Sequence, residues 1–254
     1  PGKPGAINKT SDFYAPNISL NWEASPGLVD NYTVTVTEVN ENKSVIQISH
    51  VRSTRIEVNA LRHGRNYSVV IMAKRFDKTS DQRTDYFSTV IISPEPPTNL
   101  SVMPGSIGKN SLNLTWTRPV DFNGPPLGYK VCVKKKIYLD EPWSDEDCIT
   151  KNPEIVERME VSNLTTGAFY LFTVCSLNSK YNSTPANSSI IQTNENTPDV
   201  VTYVKLEPFD FNMEVDFKRP QRPYGKILAY NINIRNVANI SDCHVRWLKI
   251  PEYT

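Results

Sequence analysis

The sequence predicts an all-β chain of two-sheet sandwiches in tandem. Three observations lead there. Apolar and polar residues alternate over short runs, the pattern of strands with one dry and one wet face. Proline is plentiful and glycine sparse, with 19 and 10 residues. Together with Thr, Val, Ile and Tyr runs, the prolines mark strands ended by turns. Finally, one spacing, V-x-x-L-x-x-G-x-x-Y, occurs twice: at Val58, Leu61, Gly64 and Tyr67, and at Val161, Leu164, Gly167 and Tyr170.

The elements repeat in the same order. "ISLNW" alternates Ile18, Leu20 and Trp22, "SPG" breaks it, and "YTVTV" alternates Tyr32, Val34 and Val36. The second copy reads Leu112, Leu114 and Trp116, then the loop "RPVDFNGPPLG", then Tyr129, Val131 and Val133. After each repeated motif comes another alternating run: Tyr67, Val69, Ile71 and Ala73, then Tyr170, Phe172, Val174 and Ser176. Within the motif the Leu packs inward and the Gly permits the turn. The Tyr opens the next strand and can return its hydroxyl to upstream backbone, a tyrosine corner that fixes the crossing between two sheets.

A third copy follows "NENTPD". "MEVDFKRPQRPYGKILAYNINI" aligns without a gap with "LNLTWTRPVDFNGPPLGYKVCV". Phe217 stands where Trp116 stands, and Tyr230 where Tyr129 stands. Only its first strands are present, so its apolar face is expected to be exposed. "SPEPP" at 93–97 and "NTPD" at 196–199 read as short proline-marked linkers. The expected domains are 1–93, 94–196 and the N-terminal part of a third at 197–254. Short linkers favour a semi-rigid, rod-like spacer.

These residues resemble fibronectin type III domains: inward Trp22 and Trp116, strand tyrosines Tyr32 and Tyr129, the two corner motifs, and "NGPPLGYKV". The resemblance covers residues 1 to about 196 and implies immunoglobulin-like β-sandwiches in tandem.

Composition narrows the setting. A net charge of +1 gives no electrostatic case for nucleic acid or a membrane surface. The longest apolar stretches, such as "VVIMA" at 69–73, fall far short of the about 18 residues of a spanning helix. The abrupt start, "PGKPG", fits a piece of something longer. Asn, Ser and Thr frequencies would place on the order of four N-x-S/T sequons by chance. Eleven occur, at Asn8, Asn17, Asn31, Asn42, Asn66, Asn99, Asn113, Asn163, Asn182, Asn187 and Asn239. This density predicts an extracellular glycoprotein.

That compartment permits disulfides among Cys132, Cys148, Cys175 and Cys243. Alternation turns Cys132 and Cys175 away from the core. A hairpin centred near Asp140 sets Cys132 opposite Cys148. The resemblance implies that the strand of Cys175 also neighbours that of Cys132, so Cys132–Cys148, favoured by hairpin symmetry, and Cys132–Cys175 both stay open. Cys243 is expected to pair beyond Thr254, if it pairs.

No catalytic motif is present: no G-x-S-x-G elbow, H-E-x-x-H pair or phosphate-binding glycine loop. No catalytic residue, cofactor or metal is expected. Asp140, Glu141, Asp145, Glu146 and Asp147 lack calcium-loop spacing and read as a solvated hairpin tip. Two surface patches are candidates for partner binding. Lys134, Lys135 and Lys136, with Lys130, suit heparan sulfate or an acidic partner, against the alternative of edge-strand lysines that block aggregation. Tyr138, Leu139 and Trp143, beside Ile137, suit a protein contact, against the alternative that Trp143 folds back on its sheet. Tyr86 and Phe87 form a lesser candidate in the first unit.

The resulting expectation is part of a single-pass cell-surface receptor that binds a protein ligand or counter-receptor. It is anchored only through segments outside this chain and is not itself an enzyme. The resemblance extends to ectodomains of receptor-type tyrosine phosphatases, which implies a cytoplasmic catalytic part, and to other cell-adhesion receptors. The alternatives are a cytokine-receptor-type binding module, which "PWSDED" does not support for want of W-S-x-W-S, and spacer domains of a secreted enzyme or matrix protein.

Overall fold

The structure, a computed structural model, describes residues 1–11, 17–39, 43–151, 157–210, 213–234 and 246–251. Among them every regular element is a strand. No helix there is long and apolar enough to cross a membrane. The sequons at Asn42 and Asn239, and Cys243, lie outside the described residues.

The first sandwich comprises β1 (Ile7–Ser11), β2 (Ile18–Trp22), β3 (Asn31–Glu38), β4 (Lys43–Val51), β5 (Arg55–Val58), β6 (Asn66–Arg75), β7 (Lys78–Thr79) and β8 (Arg83–Ser88). One antiparallel sheet runs β1-β2-β5; the other runs β4-β3-β6-β7, with β8 also pairing β6. The period-two pattern decides which side chains meet. Ile18, Leu20 and Trp22 from one sheet and Tyr32, Val34, Val36, Val69 and Ile71 from the other form one buried core. Trp22 meets Tyr32 edge-on, with ring centroids 5.3 Å apart. Such a pair contributes about 0.5–1.5 kcal/mol beyond its area.

The second sandwich repeats this with β9 (Thr98–Val102), β10 (Leu112–Thr117), β11 (Pro126–Lys136), β12 (Asp147–Lys151), β13 (Arg158–Val161), β14 (Phe169–Asn178), β15 (Ala186–Asn187) and β16 (Ile191–Gln192). Its sheets run β13-β10-β9 and β12-β11-β14-β15, with β16 also on β14. Trp116 and Tyr129 meet edge-on at 5.1 Å. The third segment has two two-stranded pieces, β17 (Tyr203–Pro208) with β18 (Met213–Lys218), and β19 (Ala229–Ile234) with β20 (Arg246–Pro251). Phe217 and Tyr230 make the same edge contact at 4.7 Å, while Val204, Leu206 and Met213 stay exposed.

By contacts the chain divides into two compact units. The first holds Pro1–Glu95 with the loops Pro119–Gly128 and Ser176–Thr184; the second holds Pro96–Arg118, Tyr129–Cys175 and Pro185–Thr254.

Both corners form. Tyr67 and Tyr170 are buried, and their hydroxyls accept the backbone N–H of Arg62 at 2.8 Å and of Thr165 at 2.6 Å. Leu61 and Leu164 are buried beneath them. Gly64 and Gly167 take φ of 61° and 66°, left-handed values that cost a Cβ-bearing residue about 1–2 kcal/mol. Burial pushes the Tyr67 phenol above its ordinary pKa, so it stays protonated at neutral pH.

Removing either hydroxyl leaves a backbone N–H without its acceptor while keeping the ring. Tyr67→Phe and Tyr170→Phe should each lower stability by about 1–3 kcal/mol. Urea denaturation measures this, with Tyr86→Phe, at an exposed ring, as the control near zero.

Candidate functional site

The hairpin of β11 and β12 carries most of the residues singled out for binding. Cys132 and Cys148 stand directly opposite in its register and are joined by a disulfide. Cys132 points away from the core, as alternation requires, yet it is only 4 % exposed because its bonded partner covers it. Cys175 is a half-buried free thiol, and burial raises its pKa. The Glu146 carboxylate lies beside the bonded pair. With both sulfurs bonded, the trio has no thiolate to offer a metal.

Beyond Val133 the strands open into a tip over 137–146. Ser144 closes its neck: its N–H donates to the Lys135 carbonyl at 2.8 Å, and its Oγ accepts the Lys135 N–H at 2.9 Å. Above this neck the expected patch divides. Tyr138 donates its hydroxyl to the Pro220 carbonyl at 2.6 Å, and the Arg219 guanidinium lies 4.4 Å over its ring. Arg219 also grips Asp140 with two nitrogens at 3.1 and 2.9 Å, which holds that carboxyl below its usual pKa. Lys136 sits 4.8 Å over the Trp143 ring and donates to the Leu139 carbonyl at 2.8 Å. Trp143 is half-buried under this lysine. Leu139, 47 % exposed, stands between the two braces facing water.

The lysines divide as well. Alternation puts Lys130, Lys134 and Lys136 on the face of Cys132, and exposed Lys135 on the other. The edge-strand account fails for this strand, because β11 lies between β12 and β14. In the first sandwich Phe87 stacks on Tyr67 at 5.3 Å and belongs to the structure, while Tyr86 remains exposed.

A second polar constellation lies in the first unit, and sequence reading missed it. Glu38 occupies a core-facing position at the end of β3 and is 3 % exposed. Arg65 meets it at 3.1 Å and Arg62 at 3.6 Å. The same arginines meet Asp121 at 2.7 and 3.1 Å. A carboxylate where alternation calls for a hydrophobe was the signal for a buried ion network.

Of the sequon asparagines, Asn8, Asn66, Asn99, Asn163, Asn182 and Asn187 are exposed. Asn17, Asn31 and Asn113 are half-buried, and Thr33 of the Asn31 sequon is buried.

Comparison with known proteins agrees with this architecture. The family model described as fibronectin type III domain matches residues 6–85 and 95–193. Mouse protein sidekick-1 is 36 % identical over 99 residues, 39 % of this chain and 4 % of that protein. Human protein sidekick-1 is 36 % identical over 89 residues, 35 % of this chain and 4 % of its own length. The chain thus corresponds to a small part of these relatives. The crystal structure of chicken CNTN1 FN1-FN3 domains covers 100 % of this chain and 86 % of its own, with a TM-score of 0.51 and 16 % identity, a likeness of fold.

Asp121 yields a pH prediction. Burial acts to raise its pKa, but the Asn123 N–H and the charges of Arg65 and Arg62 outweigh it, leaving the carboxyl below its ordinary value. Such a group contributes stability above its unfolded pKa, about 3.9, and loses it as pH falls through the folded value. Denaturant stability should therefore drop below about pH 4. Asp121→Asn should shrink that drop, as urea titrations at neutral and acid pH will show.

Proposed function

The chain belongs to the fibronectin type III domain family, and on that premise we propose that it is an extracellular stretch of a cell-surface adhesion receptor. It acts by protein recognition and as a spacer. The observation that carries the compartment is the sequon density, with six described asparagines turned to solvent. The Cys132–Cys148 disulfide suits the same oxidising setting. The sequence resemblance to ectodomains of cell-adhesion receptors supports an adhesion role, and the CNTN1 domains share the fold. The proposed division is 1–93, 94–196 and the start of a third domain at 197–254.

Recognition of a protein counter-receptor centres on the 137–146 tip. Leu139 is its exposed apolar element, and the braces on either side hold it without help from a ligand. A protein partner is favoured over heparan sulfate because Lys136 is committed to Trp143 and to the Leu139 carbonyl. The finer placement, a receptor-type tyrosine phosphatase, rests on the sequence resemblance alone. The full-length reading frame tests it: a cytoplasmic phosphatase domain supports it, and its absence removes it.

Secreted from animal cells, the chain should lose mass on glycosidase treatment. Glycopeptide mass spectrometry should find sugar at exposed Asn8, Asn66, Asn99, Asn163, Asn182 and Asn187 and none at Asn31. An unchanged mass would remove the chain from the secretory route. In cell-surface binding with a multimerised chain, Leu139→Asp should reduce staining roughly tenfold, the size of a central contact residue. Staining equal to wild type would exclude the tip.

A further inference from the structure

We propose that the glycine of each tyrosine corner is a docking seat for the turn that joins the Trp or Phe strand to the Tyr strand in the following copy of the repeat. The same contact is built twice from different sequences. In the first unit Gly64 receives the turn at Asn123–Gly124, and a Cβ on Gly64 would collide with the Asn123 carbonyl oxygen and the Gly124 Cα. In the second unit Gly167 receives Tyr224–Gly225, and a Cβ there would collide with the Tyr224 carbonyl and the Gly225 nitrogen. Backbone packs on backbone in both, which only a residue without a side chain allows.

The turns share more than position. Asn123 and Tyr224, aligned in sequence, take φ of 52° and 49°. A tyrosine in that region is strained, and such strain persists where surrounding contacts fix it. Each turn is also tied to the linker before its own copy. The Glu95 N–H donates to the Asp121 carbonyl at 3.1 Å, and the aligned Arg222 carbonyl accepts the Asp199 N–H at 3.0 Å. The Asn196 N–H donates to the Tyr224 carbonyl at 2.8 Å, and Asn123 Nδ2 to the Ser93 carbonyl at 2.9 Å. At the first seat the Arg62–Asp121 and Arg65–Asp121 pairs flank the glycine. The corner therefore serves the sandwich that contains it through Tyr67 or Tyr170, and the next turn through Gly64 or Gly167.

The chain supplies its own controls. Gly27 and Gly105 also have positive φ, 84° and 74°, but nothing lies within 4 Å of a Cβ built on either. Asparagine tolerates left-handed backbone, so Gly→Asn adds bulk with little strain. Hydrogen exchange on the intact chain then separates the two roles. Gly64→Asn should speed exchange of the Glu95 and Asn123 amides by roughly tenfold or more while β6 amides keep their protection. Gly167→Asn should do the same for the Asn196 and Asp199 amides. Gly27→Asn and Gly105→Asn should leave all four amides unchanged. The proposal is overturned if Gly64→Asn matches Gly27→Asn at Glu95 and Asn123. It is equally overturned if β6 loses protection to the same degree as the turn, since the glycine would then serve its own corner alone.

Discussion

A phenol hydroxyl accepting one backbone N–H, at 2.8 Å on Tyr67 and 2.6 Å on Tyr170, is the contact from which the rest of each sandwich follows. The chain leaves one sheet after Val58 or Val161 and must enter the other with its alternation in phase. A slip of one residue would turn every core side chain of β6 or β14 to water. The buried ring sets that phase, because Tyr67 must sit inside for its oxygen to reach Arg62. Val69, Ile71 and Ala73 are then committed to the core, and the edge-on Trp22–Tyr32 pair closes it.

The strands and corners were legible in the sequence because their causes are local. Period-two alternation placed Trp22, Leu20 and Val34 inside, and they are inside. The Phe217–Tyr230 contact in the third segment follows from an ungapped alignment with Trp116 and Tyr129. What stayed hidden depends on groups far apart in the chain. Nothing near Tyr138 announces that its hydroxyl ends on Pro220, 82 residues away. Glu38 stands in phase with the inward residues of its strand, but its partners Arg62 and Arg65 lie more than twenty residues on and are not announced by any local pattern. Alternation gave Cys132 a direction but not its 4 % exposure, which depends on neighbours across the strand pair such as the bonded Cys148.

The hairpin tip is braced by the chain's own side chains. Tyr138 and Asp140 are spent on Arg219 and Pro220, and Lys136 on Trp143, so the chain's own braces define what Leu139 can present. For the partner proposed above, fewer rotamers would remain to be frozen, which lowers the entropic cost of association. The disulfide beneath fixes the register of the two strands that carry the tip.

The two corners share one more backbone value. Ala60 and Asn163 hold the same place in the motif, each with φ of 60°. Asparagine accepts that conformation more readily than alanine, so the turn itself favours the amide that sugars attach to. Whether it becomes an acceptor depends on the residue two places on. In the second corner that residue is Thr165, which completes N-L-T. In the first it is Arg62, engaged with Glu38 and Asp121. The same place in the corner thus completes a sequon in one copy and anchors an ion pair in the other.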